Sequence, residues 1–201
     1  MFRSRLRLFL LSLAALLVAL VLATRLFPDF GYTSGEFLFP ERFHRYDQMI
    51  TEIADRHQVD PALVKAVVWR ESKFRPGMEG TSGERGLMQV GESAAAEWAK
   101  AEKMATFVPT DLFDPKTNIE AGTWYLAQAL RRWKDKDDAI PFALAEYNAG
   151  RTRVDRWIAA TNMGEQANAD DLLGAIDYPT TRRYIDEITR RAQFYRDRGR
   201  L

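Results

Sequence analysis

The stretch VKAVVWRESKF, Val64 to Phe74, constrains the fold of this chain more than any other. Read as a helix, it gathers Val64, Val67, Val68 and Phe74 into one apolar stripe, and Glu71 lies on that stripe. Seven residues, nearly two turns, separate Val64 from Glu71, so the carboxylate projects from the valine face. Glutamate is seldom buried without a partner, because taking its charge out of water is costly. The start of this helix is well marked. Asp60 is a good N-cap and Pro61 suits the first helical position. An acid aimed inward needs a core around it. The 201 residues supply one, being 46% hydrophobic with 12 Phe, 7 Tyr and 5 Trp.

The rest of the chain reads as helices too. A helix is expected from about Phe43 to His57, with Tyr46, Met49, Ile50 and Ile53 inward. After Phe74 comes a segment studded with Gly77, Gly80, Gly83, Gly86 and Gly91, which predicts a tightly turning loop that another segment approaches closely. Helical patterns resume over Ser93–Ala101. They continue in TNIEAGTWYLAQALRRW, capped by Thr117 or Asn118, and in DDAIPFALAEYNAG, opened by Asp137 or Asp138 and stopped near Gly150. RTRVDRWIAA follows, then a polar loop at about 161–177 and a last helix from about Thr180 to Arg198. No strand alternation or internal repeat appears, so the fold class is all-α.

The N-terminus points to a membrane. Arg3, Arg5 and Arg7 precede LFLLSLAALLVALVLAT, 17 uncharged residues from Leu8 to Thr24. As a helix this run is about 26 Å long, close to the thickness of a bilayer's hydrocarbon core. The arginine bias predicts a cytoplasmic basic stub at 1–7, a transmembrane anchor at 8–24 and an exported remainder. A cleaved signal peptide ending near Val21–Ala23 is the alternative. Residues 25–40 read as a tether, and 41–201 as the working domain. Either way that domain acts outside the cytoplasm.

Composition excludes several functions. Lys plus Arg is 29 against 28 Asp plus Glu, which gives nucleic acid no electrostatic footing. There is no cysteine, so disulfides and thiol catalysis are excluded, and two histidines make no histidine-rich metal site. No cofactor or metal is expected. The seven arginines between Arg182 and Arg200 alternate with acids and read as a solvated helix face.

Five segments taken together resemble the catalytic domain of lytic transglycosylases of the soluble (SLT) type, which share a lysozyme-like fold with goose-type lysozymes. They are ESKF at 71–74, GLMQV at 86–90, NIEAGTWYL at 118–126, AEYNAG at 145–150 and PTTRRYI at 179–185. They fall in the family's order over about residues 45–195, and Glu71 to Gln89 keeps the family's spacing. The resemblance implies a lysozyme-like domain with the glycine-rich loop beside its cleft, and peptidoglycan glycan strands as the partner. It implies cleavage of the MurNAc–GlcNAc β-1,4 bond, with Glu71 as the single catalytic acid. A glycosidic oxygen leaves poorly until protonated, so the acid must still hold its proton near neutral pH, and apolar burial raises a carboxyl pKa in that direction.

Most glycosidases add a second carboxylate. The family requires none: the muramoyl N-acetyl group assists, and the deprotonated glutamate takes the proton of the sugar's C6 hydroxyl, closing a 1,6-anhydro ring. The resemblance further assigns Gln89, Tyr147 and Asn148 to the cleft and brings Tyr184 to the acid, with Ser72 a substrate contact or a plain helix serine. Asn118 reads first as a helix cap, and Leu87 and Met88 as core.

The chain departs from the family at Gly80, where serine is frequent, and at Glu84, where alanine is usual. It departs again at Val90-Gly91-Glu92 in place of Ile-Met-Pro, and at Thr180 in place of glutamate. These bear on subsites rather than on the acid. A hydrolytic muramidase on the same fold is one alternative, and a non-catalytic wall-binding protein of a secretion or envelope complex is another.

Overall fold

The computed structural model describes residues 2–26, 35–36 and 38–199, and it divides into two units, Met1–His44 and Arg45–Leu201. The first contains helix α1 (Phe2–Leu26) and the short α2 (Pro40–His44). The anchor expected over 8–24 falls within α1, where Phe9, Leu11 and Leu16 are exposed. Several side chains of α1 lie outside the described residues, and among those described no helix is long and apolar enough to cross a membrane. The transmembrane expectation is corrected to that extent: the described residues give an exposed apolar helix and not a span. The expected tether at 25–40 falls largely outside the described residues.

The second unit is all-α. It comprises α3 (Asp47–His57), α4 (Pro61–Ser72), α5 (Glu92–Ala101), α6 (Pro115–Arg132), α7 (Ala139–Ala149), α8 (Arg151–Ala160), α9 (Ala169–Ala175) and α10 (Pro179–Asp197). Among the described residues the only β pairing is two isolated bridges in the glycine-rich loop, Glu79 with Arg85 and Arg85 with Val90.

Helix α4 is the centre of this unit. The carboxylate of Asp60 accepts from the Ala62 amide at 2.8 Å, as the sequence predicts. All eight residues from Ala62 to Trp69 are buried, so the valine stripe is part of a helix enclosed on nearly every side. Helix α10 packs against it most extensively, α3 lies alongside it, and α7 bridges α10 and α6. Arg196 pairs with Asp60 at 2.6 Å and Arg70 with Glu187 at 2.7 Å, fastening α10 to both ends of α4.

The expected helix from Phe43 is broken at Arg45–Tyr46, so α3 begins only at Asp47. Tyr46, Ile50 and Ile53 are buried as expected, and Met49 is half-buried. The polar loop at 161–177 contains a helix, α9, opened by a reciprocal cap between Asn168 and Asp171. Helix α6 is capped by Asp114 with Pro115 behind it, and not by Thr117 or Asn118.

A fully buried cation on α4 is the least expected core member. Lys65 pairs with Asp47 of α3 at 2.6 Å and lies 4.7 Å from the Tyr195 ring centre on α10. Breaking a buried pair strands whichever charge remains in low dielectric. Asp47→Ala is therefore expected to destabilise by about 3 kcal/mol. Lys65→Met, which removes the buried cation and keeps the more exposed Asp47, should cost clearly less; urea denaturation of both variants reads the difference.

Candidate active site

Glu71 lies in the last turn of α4, and the chain reverses directly behind it. Lys73 and Phe74 both take left-handed backbone, with φ of 52° and 59°. That conformation is unfavourable for residues with a Cβ. The Arg75 guanidinium donates to the Ser72 carbonyl at 3.0 Å and helps close the helix end. Phe74 is buried, as are Val64, Val67 and Val68.

The Tyr184 hydroxyl donates to Glu71 Oε1 at 2.6 Å. Glu71 is raised from 4.5 to about 7, chiefly by burial; the negative charge of Glu84 adds to the rise, while the Tyr184 bond, Arg70 and Lys73 oppose it. Burial pushes Tyr184 and Tyr147 well above the ordinary phenol value, and each feels the charge of Glu71. Both therefore remain hydroxyl donors near neutral pH. Lys73 is lowered to about 7 by burial first and by Arg70 next, with its ammonium 3.4 Å from the Trp69 ring centre.

The glycine-rich loop is held by α6 and α7. Asn118 is fully buried, and its side chain accepts from the Met88 amide at 2.7 Å while donating to Arg85 O at 2.7 Å and Leu112 O at 2.9 Å. It is thus the clamp of the loop and not the expected cap of α6. Gly86 makes this approach possible: its φ is 79°, and a Cβ there would stand 2.2 Å from Asn118 Nδ2. Gly122 on α6 likewise leaves room for the Met88 side chain, 2.6 Å from where its own Cβ would be. The Tyr147 hydroxyl donates to Met88 O at 2.9 Å, so this buried methionine ties the loop to α7 as well.

The expected site residues do not all face the same way. Gln89 has φ 47° and uses its amide nitrogen on Met78 O and Gly86 O, at 3.0 and 2.9 Å, which leaves Oε1 to accept from a ligand. Gln89, Tyr147, Tyr125, Glu84, Glu146 and Gly150 line a cavity of about 190 Å³. Asn148 is exposed, and its Oδ1 accepts from Thr181 on α10 at 2.8 Å. Ser72 is fully buried with its hydroxyl bonded back to Val68 O at 3.2 Å, so it offers no surface to a substrate and the plain-serine alternative describes it.

A larger cavity of about 630 Å³, against Arg132, Lys136, Arg151, Asp155 and Glu165, includes none of the groups that act on Glu71. The smaller cavity includes Glu84, whose charge acts on Glu71. Sequence reasoning missed Tyr125, which meets Tyr147 edge-on at 5.7 Å between ring centres, and the clamping role of Asn118. It also missed Glu146, buried on α7 and bound by Arg132 and by the Trp133 indole at 2.8 Å.

Comparison with known proteins identifies the family of the domain. The family model "Transglycosylase SLT domain" matches residues 48–169, well over half of the chain. The chain belongs to this family. Membrane-bound lytic murein transglycosylase F of Desulfosudis oleivorans is 38% identical over 131 residues, covering 63% of this chain and 27% of that protein. Membrane-bound lytic murein transglycosylase C of Shigella sonnei is 30% identical over 173 residues, covering 79% of this chain and 48% of that one. The 70 kDa soluble lytic transglycosylase of Escherichia coli superposes with a TM-score of 0.65 at 26% identity, over 75% of this chain and 24% of the other. The chain thus spans between about a quarter and a half of the length of these relatives.

Two stability predictions follow from the geometry of this SLT domain. Asn118→Ala strips partners from buried backbone groups and should lower stability by about 3 kcal/mol, or Tm by roughly 6–12 °C. Asn118→Asp, which sets an acceptor against two carbonyls, should not rescue it. Glu71 binds its proton more tightly folded than unfolded, so its burial costs nothing at low pH. The cost grows as pH rises through 4.5 and is complete above about 7. Its full size is about 3 kcal/mol. Glu71→Gln should therefore melt higher than the parent at pH 8 and show no such advantage at pH 4.

Proposed function

We propose that the chain is a peptidoglycan lytic transglycosylase that cleaves the MurNAc–GlcNAc β-1,4 bond and leaves 1,6-anhydromuramoyl ends. The observation that carries this reading is the Glu71 carboxyl: raised to about 7, bonded to Tyr184, and next to the loop that presents Gln89. Near neutral pH much of it is protonated, as an acid must be to protonate a glycosidic oxygen. Once the proton has gone, the same carboxylate accepts the C6 hydroxyl proton as that oxygen attacks the anomeric carbon. No water is consumed, and Glu71 returns to its starting state. Tyr184 steadies the carboxylate in both states by donating to Oε1. Gln89 Oε1 and the exposed amide of Asn148 are the groups open to sugar hydroxyls.

Hydrolysis is the second reading, and one observation favours it. Glu84 is near enough to bear on the titration of Glu71, so a second carboxylate does stand by the acid. The fragments separate the two readings, since the anhydro product is lighter than the hydrolytic one by one water. Anhydro ends are expected from purified sacculi, and reducing ends alone would replace the first reading with the second. Glu71→Gln should lower the rate by about 10²–10⁴-fold. A Glu71→Gln variant that digests sacculi as fast as the parent would show that Glu71 is not the acid, whereas a parent that digests nothing would leave the wall-binding reading. With Glu71 as acid, the rate should fall about tenfold per pH unit once pH exceeds about 7.

The working place we assign is the periplasm, or the outer face of the membrane. Arg3, Arg5 and Arg7 ahead of an uncharged run support this. Cell fractionation should find the chain in the periplasmic or membrane fraction, and a chain confined to the cytoplasm would contradict this assignment.

A further inference from the structure

Two departures from the SLT pattern, Gly80 and Glu84, prove to be one feature. A Cβ at residue 80 would stand 2.4 Å from Glu84 Oε2 and 3.0 Å from Gln89 Oε1. Any side chain at 80 would therefore displace the Glu84 carboxylate, and its absence makes room for it. The loop then fixes that carboxylate in place. The Ser82 amide donates to Glu84 Oε2 at 3.1 Å, and the Gly80 amide donates to the backbone carbonyl of Glu84 at 2.7 Å, which sets the turn that carries the side chain.

Glu84 is half-buried, lines the cavity with Gln89, Tyr125 and Tyr147, and makes no ion pair with a Lys, Arg or His among the described residues. The adjacent Arg85 turns instead to Glu79, at 3.3 Å. The other carboxylate of the cavity, Glu146, is already neutralised by Arg132. The wall of this cavity thus carries one carboxylate without an ion-pair partner among the described residues. A neutral acetamido group gains an ordinary hydrogen bond there, whereas an ammonium gains a charge-assisted one, roughly twice as strong.

We propose that the Glu84 cavity reads a primary ammonium on the wall polymer next to the scissile bond. The group is either the amine of a glucosamine lacking its acetyl or the free amine of a diamino acid in the stem peptide. The muramoyl acetamido group is not the target, because the resemblance to the family gives it a part in the reaction itself. This inference rests on that reading of the site, and its test separates the two.

The test uses the full chain and four polymers at limiting concentration, each before and after chemical N-acetylation: native sacculi, sacculi with de-N-acetylated glucosamine, and peptide-free glycan with and without that amine. The parent should cut amine-bearing polymer about threefold faster than its N-acetylated counterpart. Glu84→Gln and Glu84→Ala should both lose the preference. A preference that survives removal of the peptide identifies the sugar amine, and one that vanishes with the peptide identifies the diamino acid. Equal rates on free and blocked amines, or a preference that both variants retain, would overturn the proposal. Glu71→Gln run alongside keeps the failures apart. If it still cuts, the catalytic reading has failed; if it is inactive and the parent shows no preference, only the role of Glu84 has failed.

Discussion

The 2.6 Å bond from Tyr184 to Glu71 joins residues 113 positions apart and sets what the rest of the domain must do. A carboxyl held out of water favours its neutral form, and only a neutral or weakly polar neighbour can hold it without undoing that effect. A phenol pushed well above its ordinary value meets the requirement, since it donates and brings no charge. Arg70 is the contrasting neighbour. Its charge favours the carboxylate, but it is drawn off to Glu187 at 2.7 Å. Burial remains the largest influence on Glu71 for this reason. The close packing of α10 on α4 is the structural condition for the chemistry.

The second condition is a loop that is rigid without being regular. It has almost no backbone ladder, so its polar groups need other partners. Asn118 supplies three of the bonds and Tyr147 a fourth, all of them to Arg85, Met88 or the neighbouring Leu112. The left-handed φ values at Lys73, Phe74 and Gln89 lie at the acid and at the loop's glutamine. Strain of this kind persists only where surrounding contacts overdetermine the conformation. The acid and the loop therefore draw on the stability of one core, with α4, α6, α7 and α10 as its walls.

Much of this was legible from residues. Asp60-Pro61 marked the start of α4 correctly, and the same Asp-Pro signal at Asp114-Pro115 marks α6, although Thr117 and Asn118 looked the better caps. Helix α9 was overlooked because seven residues are too few for periodicity, yet Asn168 and Asp171 form a reciprocal cap that names its start. What residues alone could not disclose were long-range pairings. Lys65 sits in an apolar run with no local sign that Asp47 will meet it. Ser72 adjoins the acid in sequence but turns back into its own helix, since neighbours on a helix do not share a face. Gly80 and Glu84 read as two unrelated departures until the loop brought them into contact.

The central claim is that burial keeps Glu71 protonated near neutral pH. A carbon-13 NMR titration of the glutamate side-chain carboxyls, with Glu71→Gln to assign the signal, tests it directly. The account predicts that the Glu71 carboxyl titrates near 7. Titration near the ordinary 4.5 would contradict it, because the residue would then be a carboxylate at the pH where it is required to give up a proton.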